Sequence, residues 1–317
     1  MAKRIKLSVI GSRVATMDPF APMQVMLETV IDYLRGQILQ VLPDKPDLIV
    51  LPEVCDLPSH LNNVAVQFEY YRFCGNRVLD VLSGIACEHH CYIAYPALRC
   101  LPDGTWRNSV KLIDRTGKIV AVYDKCHPTI SEIEAGILPG TDAVVVDCDF
   151  GRAGFAICFD LNFDEIRNKY VKAKPDLLLF CSMYHGGLMQ TYWAYSGRMF
   201  LAAAISSVTG GFILSPIGEL VAKSTNYFNY VTADINLNYV VAHLDNNGER
   251  LSAMRAKYGS RVRIFDPGHL GSVLVSSETD EISARDMARE FGLELLDDYF
   301  ARSLAIQAKY RSKLKKR

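Results

Sequence analysis

The chain has 317 residues, 50% of them hydrophobic and 22% charged, with 35 basic side chains against 35 acidic ones. That balance excludes the electrostatic footprint of a nucleic-acid binder or of a protein held on an anionic membrane, and no apolar run approaches the roughly eighteen residues of a membrane helix. Length and composition fit one large α/β domain or two small ones.

The N-terminus MAKRIKLSVIGSRVATMDPF lacks the apolar core of a signal peptide, so the protein is expected to be cytoplasmic. Nine cysteines, an odd number set mostly in apolar contexts, point to a reduced interior and not to a disulfide framework. In chain order, RIKLSVIG (4–11) reads as a strand, residues 22–42 as an amphipathic helix and DLIVLP (47–52) as a fully buried strand. A helix over about 64–90 leads to a strand at 91–99, and residues 108–125 read as a hairpin around a glycine-containing turn.

The same order then recurs. GFAIC (154–158) is a strand, 163–173 a helix, DLLLFCS (176–182) a buried strand and 190–202 a helix. Strands follow over 202–216, and 218–237 reads as a second hairpin. Strands alternating with helices and then a hairpin, given twice, predict an α/β fold: a four-layer αββα sandwich of two similar halves. From about 243 the composition turns polar, and 278–313 returns to helical periodicity. A C-terminal extension carrying an amphipathic helix at 286–308 is expected to pack at a subunit interface, giving a homodimer or higher oligomer.

The segment Cys87-Glu-His-His-Cys91 has zinc-ligand residue types at close spacing, but no second paired cluster follows, and a structural site needs four ligands. It reads as the polar end of a helix entering a strand. The tail KYRSKLKKR (309–317) reads as a solvated charge run.

Candidate chemistry lies at strand ends, where parallel sheets carry functional groups. Cys158 ends GFAIC at a strand-to-helix elbow, where helix-terminal amides are expected to favour a thiolate. Glu53 ends LIVLPE beside apolar neighbours that disfavour its ionised form, which suits a general base. Lys125 ends the first hairpin in YDKCHP, and TISEIEAGILPG (129–140) carries Glu132 and Glu134. SMYHGG (182–187) is expected to project Tyr184 and His185 over a pocket, with two glycines allowing close backbone approach. His127 reads as a turn or core histidine.

LIVLPE, YDKCHPTISEIEAGILPG and DFGRAGFAICFDLNFDE, in that order, resemble the three catalytic blocks of the carbon–nitrogen hydrolase (nitrilase) superfamily, and the resemblance runs over about residues 4–260. It implies a hydrolase domain at 1–265, an extension at 266–317, and no metal or other cofactor. By that resemblance Cys158 is the nucleophile, Glu53 the general base and Lys125 the cation that holds the oxyanion together with the backbone N–H of Phe159. The family's second glutamate falls on Glu132, seven positions after Lys125, with Glu134, nine after it, as the alternative. Asp160 is expected to fix the elbow through backbone hydrogen bonds.

Asp164-Glu165 stands where many amidase-like members read Pro-Glu, so the elbow is supported differently here. The context ICFDLNF lacks the Cys-Trp-Glu form of true nitrilases and resembles the amidase and carbamoylase branches. The expected activity is hydrolysis of a small primary amide or an N-carbamoyl amine with release of ammonia. Nitrile hydrolysis, a non-catalytic binding protein on the same fold and a zinc hydrolase built on the CEHHC segment are the alternatives.

Overall fold

The computed structural model describes residues 4–12, 15–206 and 210–314. Two compact units divide the chain, one of residues 5–235 and one of residues 236–314 together with Arg4.

The first unit opens with strand β1 (Arg4–Ile10) and helix α1 (Met23–Leu39). Met26, Leu27, Val30, Leu34 and Ile38 recur at helical spacing on α1 and are buried, so one stripe of the helix closes over the sheet. β2 (Leu48–Val50) is buried on both faces, as its unbroken apolar run predicts. The helix expected over 64–90 is two helices, α2 (Val64–Cys74) and α3 (Arg77–His89). Gly75 separates them at φ 55°, a left-handed conformation that ends a helix without Cβ strain. β3 (Tyr92–Cys100), β4 (Trp106–Ile113) and β5 (Ile119–Asp124) follow as an antiparallel run. The CEHHC segment lies, as read, where α3 gives way to β3.

A short helix α4 (Ile130–Glu134) and strand β6 (Val145–Cys148) lead to the second half: β7 (Gly151–Ile157), α5 (Asp164–Ala173), β8 (Leu177–Ser182) and α6 (Leu188–Gly197). The helix expected over 190–202 stops at Gly197, and 200 onward is already strand β9 (Phe200–Ile205), followed by β10 (Gly211–Leu214), β11 (Leu220–Lys223) and β12 (Tyr230–Asn236).

Two six-stranded sheets result, in the orders β12-β1-β2-β3-β4-β5 and β11-β10-β9-β8-β7-β6. In each, three central strands run parallel and two follow antiparallel. The sheets face each other through β2 against β9 and β4 against β7, with α1 to α3 packed outside one and α5 and α6 outside the other. This is the four-layer sandwich of two halves.

The stretch 218–237 is not a hairpin. β11 pairs with β10, whereas β12 crosses to the other sheet beside β1, and β6 from the first half likewise lies beside β7. Each half therefore lends its last strand to the other sheet, an exchange that local periodicity does not encode.

The second unit holds an antiparallel sheet in the order β13-β15-β14, from β13 (Tyr239–His243), β14 (Val262–Phe265) and β15 (Ser272–Ser277). Helix α7 (Gly248–Tyr258) and helix α8 (Ala284–Glu290) bury Met254 and Met287 in its core. The single amphipathic helix expected at 286–308 is instead α8 and α9 (Leu296–Leu314), with Gly292 between them at φ 61°. No helix among the described residues is long and apolar enough to cross a membrane.

Candidate active site

The ends of β2, β5, β7 and β8 bring their polar residues to one cleft of about 430 Å³, within the range of small-molecule sites. Glu53, Lys125, Glu132 and Cys158 line it together. Glu53 and Lys125 are buried, at 3% and 1% exposure.

Lys125 Nζ donates to Glu53 Oε1 at 3.0 Å and to Glu132 at 2.8 Å (Oε2) and 3.1 Å (Oε1). Glu53 Oε1 also accepts from Asn108 Nδ2 at 2.8 Å, and its Oε2 accepts from the backbone N–H of Met183 at 2.9 Å. Asn108 Nδ2 reaches Glu132 Oε1 as well, at 3.0 Å. A buried ammonium is thus held between two carboxylates, and every bond to those carboxylates comes from a fixed donor.

The electrostatics follow from that arrangement. Burial pulls the Lys125 ammonium toward its neutral form, but the charges of Glu53 and Glu132 outweigh burial and hold its pKa above the ordinary lysine value. For Glu132, burial works upward and the Lys125 charge outweighs it, leaving the carboxyl below the ordinary range. Thr129 anchors the same carboxylate: its N–H donates to Glu132 Oε2 at 2.7 Å while its Oγ1 caps the first turn of α4 in a capping box.

Cys158 begins a 3₁₀ turn, Cys158–Asn162, and has φ 47°, a sparsely populated conformation for a residue with a Cβ. Its thiol is pushed up to about 12, first by burial and then by the Glu53 carboxylate, against the opposing pull of Lys125. The expectation that helix-terminal amides favour a resting thiolate is corrected here. The turn is a tight 3₁₀ segment, and burial with the Glu53 charge outweighs Lys125 and Ser182, the groups that favour the thiolate. The resting sulfur is a thiol, and Glu53 is the carboxylate whose charge bears on it.

Asp160 braces this elbow from beneath. Its Oδ2 accepts from the Ile157 N–H at 2.9 Å and from Tyr123 Oη at 2.7 Å, and its Oδ1 accepts from the His127 N–H at 2.8 Å. His127 stacks on Phe163 at 4.0 Å and belongs to this support. Asp164 starts α5 and pairs with Arg167 at 2.8 Å within its first turn.

The remaining sequence candidates fall outside the cleft. Glu134 is exposed and does not line it, whereas Glu132 does, because only Glu132 lies on the inner side of the one-turn helix α4. His185 is exposed, packs edge-on against Phe212 at 4.8 Å and accepts from the Gly187 N–H. Tyr184 Oη accepts from Asn162 Nδ2 at 3.2 Å, and neither it nor Phe159 is part of the cleft wall.

Sequence reasoning missed Asn108, Met183 and Asp56. Asn108 is a buried amide inside β4, on the strand face it shares with Trp106, Val110 and Leu112, and a polar residue on that apolar face was the available signal. Asp56, buried at 2% exposure, accepts from Tyr71 Oη at 2.7 Å and from Tyr95 Oη, tying the turn after Glu53 to α2 and β3. That turn needs restraint, since the β-branched Val54 within it has φ 44°.

The fold is an α/β sandwich with this constellation in its cleft, and comparison with known proteins gives its family. The family model described as carbon–nitrogen hydrolase matches residues 21–243, and the chain belongs to that family. A hydrolase of Schizosaccharomyces pombe is 23% identical over 229 residues, covering 64% of this chain and 70% of that protein. An omega-amidase of Xenopus laevis is 23% identical over 217 residues, covering 61% and 78%. Among solved structures, a mutant of the Nesterenkonia AN1 amidase from the nitrilase superfamily superposes with a TM-score of 0.60 at 16% identity, covering 73% of this chain and 90% of that one. The chain is therefore an enzyme of the carbon–nitrogen hydrolase family, of the type that hydrolyses non-peptide C–N bonds.

Proposed function

We propose that the protein is a thiol hydrolase that cleaves a small primary amide or an N-carbamoyl amine and releases ammonia. The observation that carries this reading is the Lys125 ammonium clamped between Glu53 and Glu132 in a cleft that Cys158 also lines. Glu53 takes the thiol proton as sulfur attacks the substrate carbon. The oxyanion that forms is held by the Lys125 ammonium. Glu53 then passes the proton to the departing nitrogen, which leaves as ammonia, and an acyl thioester remains on Cys158. Water deprotonated by Glu53 attacks the thioester, the acid departs and the thiol is restored. Glu132 and Asn108 keep the ammonium and the base in register.

The high thiol pKa supports a base-dependent attack over a standing thiolate. The experiment is ammonia release from primary amides, N-carbamoyl amines and nitriles by the intact protein and by Cys158→Ala. Release that disappears with Cys158→Ala and survives chelator is expected, and full turnover by the variant would sink the mechanism. Self-association belongs to the same proposal: Phe300, Leu304, Ile306 and Tyr310 on α9 are exposed, and an apolar set of that size on one helix suits burial against a second copy. Light scattering at micromolar protein checks it, with a monomer counting against. A cytoplasmic location is proposed with it, and fractionation of the source cells tests that.

A further inference from the structure

The walls of the cleft differ with depth, and the difference bears on which amide can enter. Beside Glu53, Lys125 and Asn108, the buried lining consists of Val54, Pro58, Leu98 and Ile137, all apolar. Leu57, Leu61 and Val64 extend that surface outward. The exposed lining carries no charge: Ser59, Asn62, Ser131 and the apolar Met183. Among the described residues Lys125 is the one cation of the cleft, and both of its neighbouring carboxylates already occupy it. Lys125 is thus already paired twice, and the cleft offers an incoming carboxylate no second cation.

We infer that the site takes an uncharged amide or urea whose acyl or alkyl arm is apolar, and rejects the analogue that ends in a carboxylate. This rests on the hydrolase reading above and narrows it. An apolar arm laid on Val54, Leu98 and Ile137 removes hydrocarbon from water on both partners. A carboxylate in that position gives up its hydration beside an apolar wall that offers it no cation in return. N-carbamoyl amino acids and ω-amides of dicarboxylic acids fall on the rejected side.

Matched pairs test the inference because each differs only in a terminal methyl replaced by a carboxylate: pentanamide against 4-carbamoylbutanoate, and N-propylurea against N-carbamoyl-β-alanine. Binding is measured by calorimetry on Cys158→Ala protein, so the answer does not depend on turnover, while ammonia release by intact protein is followed separately. The neutral member of at least one pair is expected to bind roughly 10- to 100-fold more tightly, with the same order in kcat/KM wherever ammonia is released. Equal or tighter binding of the carboxylate members overturns the inference even if Cys158-dependent hydrolysis is found. Failure of every neutral member to bind overturns it too. Loss of the hydrolase reading would show instead as ammonia release indifferent to Cys158, whatever the binding order.

Discussion

Replacing Glu53 by Gln separates two effects that most base mutations confound. The substitution keeps size and the contact with Met183 N–H but removes the charge that, after burial, pushes the Cys158 thiol up to about 12. At pH 8 a thiol of that pKa is ionised to about one part in ten thousand. A full charge roughly 4 Å away at an effective dielectric near 20 contributes at most about 4 kcal/mol, or about 3 pH units at 1.36 kcal/mol each. With Lys125 still present, the variant thiol should therefore drop by roughly one to three units. Thiolate nucleophilicity falls with pKa at a slope of about 0.5, so net alkylation of Cys158 at pH 8 should accelerate about 3- to 30-fold. Amide turnover should fall about 10²- to 10⁴-fold in the same protein, because the group that accepts and returns the proton is gone. The assay is iodoacetamide labelling followed by peptide mass spectrometry, since exposed Cys87 and Cys100 react as well. Slower labelling of Cys158 in the variant, or turnover within tenfold of the parent, would refute the assignment of Glu53.

Lys125→Met leaves the Glu53 and Glu132 carboxylates facing each other without a cation. It should cost about 3–5 kcal/mol, a drop in Tm on the order of 10 °C by calorimetry, and Lys125→Arg should not restore turnover because a planar fork cannot occupy the site of a compact ammonium. Glu132→Gln reports on pH. The Glu132 carboxyl is lowered in the folded protein, so its stabilisation is present above the unfolded value of 4.5 and is lost as pH falls through the folded pKa. The Tm gap between parent and Glu132→Gln should accordingly be flat from about pH 6 to 9 and close below about pH 4.5, and a gap that widens in acid would contradict the pairing. Asp56→Ala strands the buried hydroxyls of Tyr71 and Tyr95 at about 1–3 kcal/mol each. Because that network restrains the turn bearing Glu53, kcat should fall more than KM changes, and chemical denaturation alongside kinetics checks both. A variant that loses stability but keeps kcat would make Asp56 purely structural.

Much of this was legible in the chain because strand ends carry the chemistry. LIVLPE and GFAIC announce buried strands by unbroken apolar runs, and a polar residue directly after such a run has few places to go except the sheet edge. The family resemblance favoured Glu132 over Glu134, and it is Glu132 that lines the cleft, since the two glutamates are two positions apart on a one-turn helix and leave it on different sides. What stayed hidden depends on partners distant in sequence. The Met183 N–H donates to a carboxylate 130 positions away, and β12 leaves its apparent hairpin to pair with β1, because pairing is decided by which sheet edge is free. The state of the Cys158 thiol was misread for a related reason: a local view saw helix amides, while burial and a carboxylate from another strand decide the proton. Gly75 and Gly292 each divide a helix that periodicity alone runs together.

The central claim is that the Cys158 sulfur becomes acylated by the substrate during turnover. It is tested most directly by acid-quenching the protein during steady-state hydrolysis of a primary amide and measuring intact mass, then mapping the modified peptide. The account predicts a species heavier by one acyl group, located on Cys158, that decays once substrate is exhausted and does not form with Cys158→Ala. Sustained ammonia release with no acylated species, and with undiminished rate in Cys158→Ala, would contradict it.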